Sequence, residues 1–319
     1  MTPPRKPARP ARRPQPAHAA HRGRTSPPAK HRFRTSRSPR PRKRYGQHFL
    51  APAWAQRIVG LVDAQPGDVF LEVGPGTGAL TLPLAESGAP ILAVEIDRDL
   101  VAALAPRVPR NVTVMSGDVL TTDALAVLSG LEPQRPPHAE PSAPGPTRRF
   151  RIVGNLPYNI ASPLLIRMIE WHRREGVFAD AIVMVQREMA DRLVASAGTK
   201  DYGVLTVMLN LHARITRLLD LPPTAFKPAP KVRSSVVRLE FGPPAVRIVD
   251  EPLFERMVKT MFGQRRKTLS NALKSFDPTA PAVLALADID GRRRPETLQL
   301  TEIARLAELF ASVRQPRVL

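Results

Sequence analysis

The twenty residues VFLEVGPGTGALTLPLAESG, numbered 69–88, decide the fold. Their first six residues form an apolar run that predicts a short buried strand, and the glycine turn after it leads into a predicted helix. Strands and helices that alternate at this spacing predict an α/β fold, in which a parallel sheet is covered by helices on both faces. Further strands are predicted at 91–97, 111–118, 150–158, 181–186, near 204–211 and at 236–241, and helices at 54–64 and 100–104.

A pair of prolines, Pro243 and Pro244, separates this pattern from a different one. Apolar residues then recur at helical spacing over 253–262 and 269–276. The sequence therefore predicts two domains, an α/β domain at 45–243 and a small helical domain at 244–319.

The charge of the chain is concentrated at its start. The chain has 48 Lys and Arg against 28 Asp and Glu, a net charge of +20, and residues 1–44 hold 15 of the basic residues and no acidic one. The remaining 275 residues therefore carry a net charge of only +5. Ten prolines and few large apolar residues predict that 1–44 is a disordered basic tail, and they disfavour a targeting helix. Such a tail favours an anionic partner.

Composition excludes several classes of protein. The chain of 319 residues has no cysteine, which removes disulfides and thiolate metal sites and fits a reducing compartment. It has no apolar stretch of the roughly 20 residues that span a membrane. We therefore expect a cytoplasmic protein without a metal site. Six prolines between 131 and 149 predict a loop insertion there.

Polar residues follow three of the predicted strands at their carboxyl ends. Gly74 begins a G-x-G-x-G turn, which differs from the motifs that bind pyrophosphates and suits a nucleoside better. Glu95 ends the second strand, where an acid can accept hydrogen bonds from ribose hydroxyls, and Asp118 ends the third, where it can accept from the exocyclic amine of adenine. Taken alone, Glu95 fits an ordinary solvated strand end equally well.

The fourth strand ends in Asn155, Leu156, Pro157 and Tyr158. An Asn amide oxygen and a nearby backbone carbonyl can both accept from one NH2 group, and the Tyr face can stack on the base that carries it. A turn in which Asn and Pro set the backbone and Tyr fills the core is the alternative, and it would be preferred without the glycine turn upstream.

The chain resembles the rRNA adenine dimethyltransferase family, whose members share a Rossmann-like fold and use S-adenosylmethionine. The resemblance rests on VGPGTG, VEID, GDVL and GNLPYNIASPLL, and it continues through the segments RKRYGQHFL (42–50), VQREMADRL (185–193), TKDYGVLTV (199–207) and FKPAPKVRSSVVRL (226–239). A further match, FGQRRKTLSNAL (262–273), lies in the helical domain. It makes the chain similar to the small-subunit branch of the family rather than to the Erm-type large-subunit branch.

The resemblance implies a role for each matching residue. Asn155 would serve cofactor and target base together, with Leu156 and Pro157 beside it, and Tyr158 and Phe226 would enclose the flipped adenine. The family usually has Asn where this chain has His48. The residues that would bind the cofactor are His48, Leu50, Gly74, Glu95, Asp118 and Asn155.

The implied reaction is dimethylation of two adjacent adenines near the 3′ end of 16S rRNA, in the small ribosomal subunit or its precursor. Arg265, Arg266 and Lys267, on the first helical stretch of the small domain, are candidates for RNA binding, although three basic residues in a row are usually a solvated face. A monomer is the family expectation. Three alternatives remain: an Erm-type 23S rRNA methyltransferase, a ribosome-assembly factor without catalysis, and a DNA adenine methyltransferase.

Overall fold

A seven-stranded sheet forms the centre of the computed structural model, which describes residues 48–131, 149–157 and 160–314. The predictions for the basic tail, for nearly all of the Pro-rich insertion and for Tyr158 lie outside these residues. Along the chain the strands are β1 (Phe49–Leu50), β2 (Asp68–Val73), β3 (Ile91–Glu95), β4 (Val112–Ser116), β5 (Arg149–Asn155), β6 (Phe178–Gln186), β7 (Ala213–Leu221), β8 (Phe226–Lys227) and β9 (Ser234–Phe241).

The strand order places the polar residues that follow the strands at one edge of the sheet. The order in the large sheet is β4-β3-β2-β5-β6-β9-β7, and β2 to β6 run parallel. Strand β9 runs antiparallel to both β6 and β7. The ends of β2, β3, β4 and β5 therefore share one edge, the carboxyl edge. The two short strands β1 and β8 pair separately.

Helices cover both faces of the sheet, as predicted. One face packs Leu71 and Val73 against Leu164 and Met168, and the other packs Phe70 against Ile58 and Leu84. The alternation along β2 follows from the period of two in a strand. The helices are α1 (Pro52–Val62), α2 (Thr81–Ala85), α3 (Arg98–Leu104), α4 (Ala124–Ser129), α5 (Ala161–Glu175), α6 (Arg187–Leu193), α7 (Val204–Asn210), α8 (Glu251–Gly263), α9 (Leu269–Lys274), α10 (Ala280–Leu286) and α11 (Leu300–Arg314).

The predicted strand near 204–211 is wrong, because α7 occupies this stretch and the strand β7 follows it. A short apolar run does not distinguish a buried strand from a buried helix. Here Thr206 decides for the helix. Its hydroxyl accepts from the Gly203 amide at 3.2 Å and donates to the Arg192 carbonyl at 2.7 Å, which caps the helix and ties it to α6.

The last four helices share an apolar core. Asp250 is the N-cap of helix α8, because its carboxylate accepts from the Leu253 amide at 2.9 Å. The apolar residues predicted at helical spacing over 253–262 are buried in this core, together with Phe310 of α11 and Val207 of α7. Within the described residues, no helix is both long and apolar enough to cross a membrane.

A buried ion network joins the opposite, amino ends of the strands. Arg151 on β5 donates to Asp180 of β6 at 2.7 Å and 2.8 Å, and to Asp68 of β2 at 2.8 Å. Arg149 also pairs with Asp68, but its side chain is 47% exposed whereas that of Arg151 is 5% exposed. Because the network links three neighbouring strands, it holds the register of β2, β5 and β6.

Candidate active site

A pocket opens at the carboxyl edge of the sheet, above the ends of β2, β3, β4 and β5. This is where parallel α/β sheets bind ligands. Its lining residues come from the strand ends and from the segment around β1: His48, Phe49, Leu50, Glu72, Val73, Gly74, Pro75, Gly76, Thr77, Ala79, Leu80, Val94, Glu95, Ile96, Leu100, Gly117, Asp118, Val119, Asn155, Leu156, Pro157, Ile160 and Met184. All the predicted cofactor residues are among them.

The glycine turn after β2 is locked to the end of β3. Gly74 has a φ of 68°, a conformation that favours glycine, and its missing side chain leaves the backbone open to the pocket. The Glu95 carboxylate accepts from the Gly76 amide at 3.0 Å and from the Asp97 amide at 2.9 Å. Each carboxylate oxygen can accept more than one hydrogen bond, so Glu95 can hold the turn and bind hydroxyls of a ligand.

A second acid, Glu72, lies at the inner wall of the pocket. Its side chain points to the same face of the sheet as Phe70, and the residue is 1% exposed. Burial, helped by the charge of Glu95 and opposed by hydrogen bonds with Thr81, raises the pKa of Glu72 to about 7. One carboxyl oxygen, Oε2, has no hydrogen-bond partner among the described residues. Because buried polar atoms are normally hydrogen-bonded, this oxygen is a site for a donor group of a ligand in the pocket.

The third acid, Asp118, stands in the loop after β4. One of its oxygens accepts from the Leu120 amide at 3.0 Å, which orients the half-buried side chain beside the pocket. Gly117 precedes it and is anchored to β3, because its amide donates to the Glu95 carbonyl at 2.9 Å. Asp118 and Glu95 are thus held at fixed positions along one side of the pocket.

The end of β5 presents two acceptors. Asn155 donates its amide NH2 to the His48 carbonyl at 3.2 Å, which leaves its amide oxygen, Oδ1, available as an acceptor. The Leu156 amide donates to the Met184 carbonyl at 3.0 Å and fixes the backbone. The Pro157 carbonyl accepts from the Ile160 amide at 3.1 Å, whereas the Leu156 carbonyl has no backbone donor in the described part of the chain. Asn155 Oδ1 and the Leu156 carbonyl are therefore the candidates to receive an NH2 group.

The segment around β1 closes the pocket on one side. Leu50 pairs with Phe226 across the β1 and β8 ladder, and Phe49 pairs with Lys227. His48 Nδ1 lies 2.7 Å from the Pro228 carbonyl and donates to it. The side chain of His48 thus attaches the wall to the loop after β8, while its backbone carbonyl holds Asn155.

Four predicted site residues lie elsewhere than expected. Phe226 is 2% exposed in the apolar core beside α1, and it is not part of the pocket lining, so stacking of Phe226 on a base stays a prediction. The predicted helical position of Arg265, Arg266 and Lys267 is wrong, because α8 ends at Gly263 and the three residues form the turn before α9. All three residues are exposed, and Arg265 donates to the backbone carbonyls of Lys200 and Tyr202 at 2.6 Å and 3.1 Å.

The residues present suit S-adenosylmethionine. Its ammonium group and sulfonium are cationic, and the pocket offers the carboxylates of Glu95 and Asp118 and the carboxyl group of Glu72, whose Oε2 has no partner among the described residues. Its adenosine part carries hydroxyls and an exocyclic amine, and Glu95 and Asp118 are acceptors at strand ends on the same edge. The Gly74 backbone provides the close approach that a side chain would block.

The sequence pattern of the ribosomal RNA adenine dimethylase family matches residues 39–312. The chain belongs to this family. Among curated relatives, "Ribosomal RNA small subunit methyltransferase A" of Aromatoleum aromaticum is 41% identical and covers 88% of this chain and 97% of its own length. The protein of the same name from Laribacter hongkongensis is 42% identical, with 84% and 95% covered. The predicted family, enzyme class and S-adenosylmethionine cofactor are confirmed.

Solved structures agree on the fold. A dimethyladenosine transferase from Plasmodium falciparum aligns with a TM-score of 0.62 at 22% identity, covering 83% of this chain and 98% of that one. The 23S rRNA methyltransferase ErmE aligns with a TM-score of 0.57 at 26% identity, covering 82% and 99%. The predicted Rossmann-like methyltransferase fold is confirmed.

Sequence reasoning gave no role to Glu72, although it lines the pocket. One signal could have found it, since Glu72 is the one charged residue in the otherwise apolar run VFLEVG. A charge that is buried without a full set of partners usually serves function. Met184 also lines the pocket, but no sequence signal marks it, because it belongs to an apolar strand. It lies at the pocket because β6 pairs with β5, where Met184 is opposite Asn155.

Proposed function

We propose that this protein transfers methyl groups from S-adenosylmethionine to the exocyclic amines of two adjacent adenines near the 3′ end of small-subunit rRNA. The observation that carries the proposal is the pair of acceptors at the end of β5, Asn155 Oδ1 and the Leu156 carbonyl, beside a pocket suited to the methyl donor. The names of the curated relatives, which specify the small subunit, support the choice of RNA.

The residues of the chain act by positioning. When bound, the sulfonium of S-adenosylmethionine supplies an activated methyl group. Asn155 Oδ1 and the Leu156 carbonyl each accept one hydrogen of the adenine amine, which favours a pyramidal nitrogen with an available lone pair. They hold that nitrogen in line with the methyl group, and positioning of this kind accounts for a large part of many rate enhancements.

The target adenine must leave its stack before it reaches Asn155. Extrusion of a base costs a few kcal/mol. Tyr158, the next residue but one after Leu156, provides an aromatic face, and stacking contributes roughly 1 to 3 kcal/mol per base. We propose that Tyr158 stabilises the extruded adenine, with Phe226 as the second aromatic partner.

The remaining parts of the chain bind the RNA. We assign residues 45–243 to catalysis and the helices after Pro243 to RNA binding, with Arg266 and Lys267 exposed in the turn between α8 and α9. The Arg265 guanidinium already donates to the backbone carbonyls of Lys200 and Tyr202, so its role is to stabilise this turn. We further propose that the enzyme acts as a monomer and in the cytoplasm, where bacterial ribosomal subunits form.

The test is a transfer assay with labelled S-adenosylmethionine and undermethylated small and large ribosomal subunits, presented separately. The proposal predicts label in small-subunit rRNA and none in the large subunit. Label in the large subunit alone would move the protein to the ErmE type, which its structural similarity to ErmE makes the second candidate. Binding of the donor without transfer to either subunit would identify an assembly factor.

A further inference from the structure

Four basic side chains next to the pocket have no role in the reaction described above. They are Lys227 at the end of β8, Lys231 and Arg233 in the loop that follows, and Arg187 at the start of α6. Lys227, Lys231 and Arg233 are exposed, and Arg187 is half-buried. We call these four residues the rim patch.

The fold brings the four residues of the rim patch together. The Arg187 amide donates to the Arg233 carbonyl at 3.0 Å, so the start of α6 and the end of the loop are adjacent. At its other end the loop is anchored to the pocket wall, because Lys227 pairs with Phe49 and the Pro228 carbonyl accepts from His48. The patch therefore borders the pocket on the side where His48 and Phe49 close it.

The positive charge of the rim patch is not neutralised by nearby acids. The sequence from 221 to 239 contains no Asp or Glu. The acids closest along the chain are engaged elsewhere, since Glu188 pairs with Arg192, Asp191 with Arg217, and Asp220 accepts from Ser235. None of the four cations makes an ion pair with the acids that the structure describes.

We propose that the rim patch binds the phosphodiester backbone of the RNA strand that delivers the target adenine, an inference that rests on the proposed function. A strand that inserts one base at Asn155 must place its neighbouring phosphates within a few ångströms of the pocket mouth. Unpaired Lys and Arg side chains are the usual ligands of RNA phosphates. Contacts of this kind position the strand without reading its sequence, so the patch sets where the backbone lies while Asn155 recognises the amine.

The experiment compares two triple variants of the full-length chain that lose the same charge. The patch variant carries Lys227→Gln, Lys231→Gln and Arg233→Gln. The control variant carries Arg174→Gln, Arg214→Gln and Arg247→Gln, which replace exposed cations in the last turn of α5, in β7 and after β9, at the amino end of the sheet. Binding to in vitro transcribed, unmethylated small-subunit rRNA is measured by filter retention between 50 and 200 mM salt, roughly the range in which such binding changes most.

The patch variant should bind more weakly, and the slope of log affinity against log salt should fall by about 2, because each lost phosphate contact to a single strand removes about 0.7. The control variant should keep the slope of the unmodified protein. Affinity for S-adenosylmethionine, measured by calorimetry, should be unchanged in both, which shows that the pocket is intact.

Equal slopes for the two variants would overturn the assignment of the rim patch. A different result bears on the proposed function instead. If the unmodified protein methylates small-subunit rRNA while the patch variant keeps its slope, only the patch proposal fails. If the unmodified protein transfers no methyl group to undermethylated small subunits, the proposed function fails whatever the slopes.

Discussion

At the scale of single residues, Asn155 has the most specific geometry of the site. Its NH2 group is occupied by the His48 carbonyl, so its orientation is set and Oδ1 is left to accept. The sequence predicted this role from residue chemistry, because Asn followed by Leu-Pro at a strand end offers two acceptors. The partner of its NH2 group could not be predicted, since His48 is 107 residues away along the chain.

Replacement of Asn155 should affect transfer more than folding. For Asn155→Ala we expect a fall of about 10²- to 10³-fold in the single-turnover rate, the usual effect of removing one positioned hydrogen-bonding group. Asn111→Ala is the matched control, because Asn111 also donates to backbone carbonyls, those of Ala85 and Ala89, but lies outside the pocket lining. Equal transfer rates for the two variants would refute the positioning role.

The buried carboxyl of Glu72 makes stability depend on pH. Its pKa rises from 4.5 to about 7 on folding, so the native state holds a proton that the unfolded chain has lost over this interval. Stability from Glu72 is therefore present at low pH and decreases as the pH rises from 4.5 to 7. Burial, helped by the charges of Arg173 and His172, lowers the pKa of His212 from 6.5 to about 4. The stability that His212 contributes therefore increases as the pH rises from about 4 to 6.5.

Glu72→Gln separates these two effects because His212 is unchanged in it. The free energy of unfolding of the variant, relative to that of the unmodified protein, should increase from about pH 5 to about pH 8 by up to roughly 3 kcal/mol, since one unit of pKa corresponds to about 1.4 kcal/mol. Urea denaturation at the two pH values measures the gain. Glu86→Gln, which removes an exposed carboxyl just after α2, should show none. A gain for Glu72→Gln that is the same at both pH values would contradict the account.

At the scale of elements, the parallel strands were predictable and α7 was not. Strands β2 and β4 are short runs followed by glycine, β3 is followed by Ile96 and Asp97, and β5 ends in Asn-Leu-Pro, so each run and its end are marked in the sequence. The run at 204–211 has neither mark. Its helix is tied to α6 by the hydrogen bond from Thr206 to the Arg192 carbonyl, which is a tertiary contact that local sequence does not encode.

The ion network at the amino edge predicts a large difference between two neighbouring arginines. Arg151→Met leaves Asp68 and Asp180 buried without their main partner, and breaking a buried pair in this way costs about 3 to 5 kcal/mol. Arg149→Met removes a pair that is partly exposed, which should cost less than about 1 kcal/mol. Urea denaturation of both variants is the measurement, and similar losses of stability would show that the network does not hold the strands.

At the scale of the whole molecule, charge is divided between a basic tail and a nearly balanced remainder. The sequence predicted this division, but not which cations around the pocket are unpaired, because pairing depends on contacts such as Asp191 with Arg217 that join α6 to β7. Specificity should therefore reside in the folded part, while the tail adds attraction that does not depend on sequence.

Removal of residues 1–40 tests whether the tail contributes affinity for RNA without contributing specificity. RNA binding should weaken and its salt dependence should flatten, because most of the basic residues of the tail are lost. The modified adenines should stay the same, as located by mass spectrometry of the rRNA. Modification at a different position would show that the tail helps to select the site.

The central claim is that the acceptors at the end of β5 serve dimethylation of adenine in small-subunit rRNA. It is tested most directly by mass spectrometry of undermethylated small subunits after incubation with the protein and S-adenosylmethionine. The account predicts two adjacent N6,N6-dimethyladenosines near the 3′ end, which form about 10²- to 10³-fold more slowly when Asn155→Ala is used. Unmodified adenines at that position, or equal modification by the Asn155→Ala variant, would contradict it.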